Sequence, residues 1–232
     1  MKIKELFEDT KFITKKQIQQ IYAECSPYFE EVGFDFNLYR GIKHDVFTAN
    51  TRPKQIADSV YVMTVRKNRI PVDTPEPIHE LVDNWMYKRF GEKFRSQSIF
   101  CTPYSSAARA YGDAYVILPI GNFSYLWSRK IADLFRELNK QIIEVGGDES
   151  SINRYGEFIY GTGRGVDDIT KETKQEIEKI LLSFDYTMEN LTENSKNEVM
   201  LACDNFYVID KKLYESFIVE ELKVIKERES KQ

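Results

Sequence analysis

The sequence predicts one α+β domain. Helix-period and strand-period segments follow in the order helix, strand, helix, several strands, helix, strands, without the regular alternation of a parallel βαβ fold. The chain's 232 residues, 42% hydrophobic and 30% charged, suffice for a substantial core and exclude global disorder. No internal repeat, low-complexity tract or flexible linker divides it.

Thr14-Lys15-Lys16-Gln17 reads as a capping box opening a helix with Ile18, Ile21, Tyr22 and Cys25 as its apolar stripe, disrupted at Pro27. Asp35 to Gly41 reads as the first core strand, and the β-branched run Val60 to Val65 as another. Arg66 to Pro77 carries three prolines and reads as a loop. Ile78, Leu81, Val82, Trp85 and Met86 share one face of the next helix, which Gly91 terminates. Phe94 to Thr102 reads as extended, Ser105 to Tyr111 as a short helix stopped by Gly112, and Ala114 to Ile120 as a strand ended by Pro119 and Gly121. Ile131, Leu134, Phe135, Leu138 and Ile142 predict a long helix over Trp127 to Val145. Gly146 to Asp168 is glycine-rich and is either a functional loop or a locally ordered insertion. Thr170 caps a helix carrying Ile177, Ile180, Leu181 and Phe184. Two strands, Glu198 to Ala202 and Phe206 to Ile209, precede an amphipathic helix over Lys211 to Lys231.

The net charge of −4 gives no overall basic field to draw the chain to nucleic acid or membrane. No apolar run has the length of a membrane span, and the N-terminus has no signal-peptide core, so no membrane partner is expected. Cys25, Cys101 and Cys203 are odd in number and widely spaced, which points to a reducing cytoplasm. Two local basic clusters, Arg66, Lys67 and Arg69, then Lys88, Arg89, Lys93 and Arg95, read either as a solvated face or as a phosphate-contacting rim.

Several motifs fail on inspection. His79-Glu80-Leu81-Val82-Asp83 has Asp83 where a zinc helix needs its second histidine. Gly161-Thr162-Gly163-Arg164-Gly165 lacks the Lys-Ser/Thr ending of a phosphate-binding loop. With two histidines and no Ser-His-Asp context, a hydrolase triad is not expected, and Cys101 reads as a small buried residue.

Three ordered blocks remain: Leu38-Tyr39-Arg40-Gly41, then Phe100-Cys101-Thr102-Pro103 followed by Ala107, Ala110, Tyr111 and Gly112, then Glu198-Val199-Met200-Leu201. In this order they resemble the arginine–serine–glutamate class of ADP-ribosyltransferases, over most of the chain from about Tyr39 to Ile209. The chain also resembles transferase-like proteins of tailed phages, which implies action in the cytoplasm of an infected cell. The resemblance implies a split, mainly antiparallel two-sheet core with flanking helices, and transfer of ADP-ribose from NAD, as substrate, to a macromolecular acceptor, nucleic acid or protein. No metal is required.

On that reading Arg40 holds the pyrophosphate, because guanidinium pairs with phosphate bidentately and is always charged. Gly41 lets the nicotinamide amide approach the backbone. Glu198 stabilises the positive charge that develops on the ribose as the glycosidic bond breaks. Thr102 orients Glu198, helped by Ser98. Arg95, Cys101 and Tyr111 complete the NAD contacts, Tyr111 or Tyr104 by stacking. Two departures shape the expectation. Cys101 replaces the family's first serine, and Lys196 stands where arginine-modifying members carry a second glutamate, so an arginine acceptor is not expected. The rival readings are plain NAD hydrolysis, an NAD-dependent RNA phosphotransferase, and a non-catalytic module on the same fold.

Overall fold

The computed structural model describes residues 13–48, 53–69, 76–134, 136–138, 140–141, 171–191 and 197–231. The chain enters through helix α1 (Lys15–Glu24). Thr14 accepts the Gln17 N–H, and the Gln17 side chain accepts the Thr14 N–H at 2.7 Å, so two orphan donors of the first turn are satisfied. Thr14→Ala is expected to cost about 1 kcal/mol. A thermal melt should read that as a fall of roughly 2–4 °C. Pro27 does not simply break the chain there: it sits in the first turn of a second helix, α2 (Ser26–Val32), where its missing N–H costs nothing.

Strands β1 (Leu38–Ile42), β2 (Lys54–Ala57) and β3 (Val60–Thr64) follow, with the short helix α3 (Asp45–Thr48) between the first two. The first core strand therefore begins at Leu38, where pairing with Ile117 starts, and not at Asp35. Helix α4 (Glu76–Phe90) buries Ile78, Leu81, Val82, Trp85 and Met86, and ends at Gly91, whose φ is +83°.

The next segment corrects the expected extended run. Phe94–Gln97 is a helical turn (α5), and only Ile99–Cys101 is strand, β4. The cause is distant: the Asp83 carboxylate accepts the Arg95 N–H at 2.9 Å and the Ser96 N–H at 3.4 Å, capping the turn from 12 residues upstream. Helix α6 (Ser105–Ala108) runs into a 3₁₀ turn (Arg109–Tyr111) that stops at Gly112. Strand β5 (Asp113–Ile120) keeps Pro119 within it. Pairing with β1 ends at Ile117, so β5 has β9 alone beside it at Pro119.

A second correction concerns Trp127. Ser124–Ser128 is strand β6, and the helical residues lie between 134 and 141. Leu126 buries into one core while Tyr125 and Trp127 bury into the other, the alternation of a strand and not of a helix. Helix α7 (Lys171–Ser183), strands β7 (Tyr186–Thr187), β8 (Val199–Ala202) and β9 (Asn205–Asp210), and helices α8 (Lys211–Leu213) and α9 (Val219–Glu229) complete the described chain. A π-helical turn, Tyr214–Ile218, joins α8 to α9 and brings Tyr214 and Ile218 to the core. Gly146 to Asp168 and the cap at Thr170 lie outside the described residues.

The strands form two sheets, each wholly antiparallel: β1-β5-β9-β3-β2 and β4-β8-β6-β7. The fold is thus α+β. The chain crosses between the sheets four times: into the second sheet for β4, back for β5, into the second again for β6 to β8, and back for β9. Val199 and Leu201 pack in the core of the five-stranded sheet, whereas Met200 and Ala202 pack with α4 and α7. The second sheet is therefore buried on both faces, which is why β8 reads as an unbroken apolar run. No helix among the described residues is long and apolar enough to cross a membrane.

One contact matters most for function. Tyr39 and Thr102 form an isolated antiparallel bridge, Tyr39 N–H to Thr102 O at 2.8 Å and Thr102 N–H to Tyr39 O at 2.9 Å. It stitches β1, the edge of one sheet, to β4, the edge of the other.

Candidate active site

That seam brings the three sequence blocks side by side. β1 carries Arg40, β4 ends at Thr102, and β8 pairs with β4 on its far side. The register Phe100↔Met200 and Cys101↔Val199, continued by one residue, sets Thr102 opposite Glu198. Residues opposite in an antiparallel pair share a face, so Phe100, Thr102 and Glu198 lie on the same side as Met200.

Glu198 is held from behind. Its N–H donates to Ala132 O at 3.2 Å, and the Asn197 side-chain amide donates to Ser128 O at the end of β6. Its side chain keeps 29% of its surface exposed, and its Oε1 lies 3.9 Å from Arg95 Nη1. Burial pushes its carboxyl up to about 7; Asp133 raises it further, while Arg95, Arg69 and Arg40 pull against the shift.

The arginines gather on Phe100. Arg40 Nη1 donates to Phe100 O at 2.9 Å. Arg69 Cζ lies 4.1 Å and Arg95 Cζ 5.1 Å from the centre of the Phe100 ring. Arg95, 8% exposed, is placed by the Asp83 cap of α5. Arg69 is anchored by its N–H on Ser96 O at 3.1 Å. Burial, then the neighbouring Arg40 and Arg95, lower its guanidinium to about 10.

Not every residue expected at the site is free to serve it. The Ser98 hydroxyl donates to Phe94 O, closing the α5 turn, and the residue is 3% exposed. It therefore does not orient Glu198. Cys101 is buried in the five-stranded sheet's core; burial pushes its thiol up to about 12, against the pull of Arg40. It is an inert packing residue and offers no cofactor contact. The space above Gly41 is filled: a Cβ there would meet Ala108 O at 2.0 Å and Tyr111 Cβ at 2.9 Å. The glycine serves close packing of α6 on β1, not the approach of a nicotinamide to that side. Thr102 Oγ1 accepts the Tyr104 N–H at 3.3 Å. Tyr111 is 71% exposed beside Gly41. Lys196 lies outside the described residues. Of the basic clusters, Lys67 pairs with Asp204 at 2.7 Å and Arg89 lies over Trp85, while Arg69 and Arg95 reach the seam.

Phe100 and Asp133 carry no sequence signal as site residues, since one reads as a strand hydrophobe and the other as a helix-surface acid. Two hollows, of about 490 Å³ beside Arg109, Lys212 and Glu215 and about 370 Å³ beside Glu31, Phe123 and Tyr125, lie away from the seam.

Compared with models of protein families, with curated proteins and with solved structures, the chain matches none.

Proposed function

We propose that the chain transfers ADP-ribose from NAD to a macromolecular acceptor, nucleic acid or protein. One observation carries the reading: a recessed carboxylate, Glu198, lies 3.9 Å from the Arg95 guanidinium and in the field of Arg69 and Arg40, where two sheet edges meet. Breaking a nicotinamide–ribose bond develops positive charge beside a pyrophosphate, which calls for both kinds of group within a few ångströms. Arg40, Arg69 and Arg95 supply fixed positive charge for the phosphates. Glu198, ionised, stabilises the developing charge on the ribose more than it stabilises the ground state. Thr102, across the register from Glu198, is the adjacent hydroxyl. The resemblance of the three motif blocks to the arginine–serine–glutamate class supports the same chemistry, and action in a host cytoplasm follows from the phage resemblance.

A second reading is a module that keeps this architecture without the chemistry. The internal use of Ser98, Cys101 and Gly41 favours it. Incubation with NAD separates the two. Nicotinamide should be released, and isotope from labelled NAD should appear in a cell-extract polymer that nuclease or protease digestion identifies. No nicotinamide, either alone or with extract, would leave the module.

A further inference from the structure

Phe100 gathers three positive charges from three separate places in the chain: Arg40 on β1, Arg69 after β3, and Arg95 on α5. Like charges repel, so such a gathering is unfavourable unless an anion shares it. Within the described residues Glu198 is the carboxylate acting on Arg69, against Arg40, Arg95 and Arg66. The Arg69 Nη1 atom is buried and has no hydrogen-bond partner there. A buried guanidinium N–H without an acceptor is costly, and its natural complement is a charged oxygen.

We propose that Arg69, beside Arg95, is a specificity-determining contact for the pyrophosphate group that the resemblance already assigns to Arg40, with Glu198 the internal counter-ion that the incoming anion replaces. The proposal rests on the reading above, in which this arginine cluster receives the donor.

A proton linkage follows. The titratable and charged groups coupled to Glu198 are Arg95 on α5, Arg69 after β3, Arg40 on β1, Asp133 before the 134–141 helical residues, Tyr186 on β7 and, from the other face of β4, Cys101. The arginines are the cations among them, and they favour the ionised carboxylate. An anion that engages them removes that support, so Glu198 takes up a proton as the anion binds. Anion affinity therefore falls as pH rises through neutrality.

Calorimetric titration with ADP-ribose tests this, because its two phosphate charges do not titrate near neutral pH. The wild-type protein should bind several-fold more weakly at about pH 8 than at about pH 6. Arg69→Gln should weaken binding by on the order of ten-fold, with Arg69→Lys intermediate. Glu198→Gln should bind without the pH dependence. Inorganic pyrophosphate, titrated in parallel, identifies the source: equal affinity assigns a free anion, tighter ADP-ribose a nucleotide. No saturable binding, wild-type affinity in a folded Arg69→Gln protein, or an unchanged pH dependence in Glu198→Gln would each overturn the proposal. The Glu198→Gln arm keeps the test decisive if Arg69→Gln does not fold. Pyrophosphate binding without nicotinamide release would leave this site standing and remove the transferase reading. Nicotinamide release unaffected by Arg69→Gln would do the reverse.

Discussion

Glu198→Gln should lower nicotinamide release from NAD by roughly 10²–10³-fold, the usual effect of deleting one preorganised charge from a transition state. The same substitution should make the protein more stable at alkaline pH. The sign follows from burial, which raises the folded-state carboxyl from 4.5 to about 7. Below pH 4.5 the side chain is protonated in both folded and unfolded chains and contributes no difference. As pH climbs from 4.5 to about 7, the unfolded chain ionises first, so the folded state loses ground; above about 7 the loss is complete. Allowing for the residual solvent contact of the side chain, the loss is roughly 2–3 kcal/mol. Glutamine never ionises and escapes it. Wild-type and variant melting temperatures should therefore agree in acid and diverge above neutrality, with the variant higher. Activity runs the other way: the ionised carboxylate is the working form, and bound phosphate withdraws the arginines' support, so turnover at saturating NAD rises with pH through a point above the value of about 7 in the ligand-free protein and then levels. A variant both inactive and more stable is the mark of a group held against its preference for the sake of chemistry. Wild-type nicotinamide release by Glu198→Gln would sink the catalytic assignment and favour the phosphotransferase reading, which does not depend on a glutamate.

The parts of this fold that were legible from sequence are those made by neighbours in the chain. The capping box at Thr14, the stripe of α4 and the β-branched run of β3 each hold their signal within a few residues, and each element forms about where that signal stands. What was illegible is made at a distance. α5 exists because Asp83 caps it from the preceding helix, and no local periodicity records that. The end of β6, Trp127 and Ser128, joins the predicted helix because two residues carry no period of their own, and it is pairing of Trp127 with Val199 of β8 that makes it strand. Arg40 and Glu198 stood out because a charge beside an apolar strand is unusual. Arg69 had no such contrast: it lies in a basic stretch after β3, and only folding carries it to Phe100. Gly41 illustrates a different limit. A glycine shows that something comes close to the backbone, and the sequence cannot say whether that is a ligand or the chain itself.

Gly41→Ala should be among the most damaging single-methyl additions in the molecule. The new Cβ would stand 2.0 Å from Ala108 O and 3.0 Å from Ala108 C. Both are backbone atoms, so no rotamer change relieves the clash. Gly112 repeats the device: its φ is +140°, and a Cβ there would come within 2.6 Å of the Ile42 carbonyl carbon. The two glycines together let α6 and its 3₁₀ turn lie flat on β1. To admit a methyl at Gly41, α6 must lift or β1 must shift from β5, to which it is paired from Leu38 to Ile42. Over-packing a site with so little freedom is expected to cost about 3 kcal/mol or more. For a chain of this size, that lowers the melting temperature by roughly 6–12 °C. Gly33→Ala is the control. Gly33 also has positive φ, +81°, with ψ 177°, but nothing lies within 4 Å of its Cβ position, so backbone strain of about 1–3 kcal/mol without any clash is expected. The functional consequence is just as local. Arg40 is the preceding residue and Tyr39 carries the bridge to Thr102, so displacement of β1 moves the Arg40 guanidinium away from Phe100 O and loosens the seam beside Glu198. ADP-ribose affinity should fall with the melting temperature in Gly41→Ala and remain near wild type in Gly33→Ala. A wild-type melting temperature for Gly41→Ala would mean that α6 yields easily and that the space over Gly41 is available to a ligand after all.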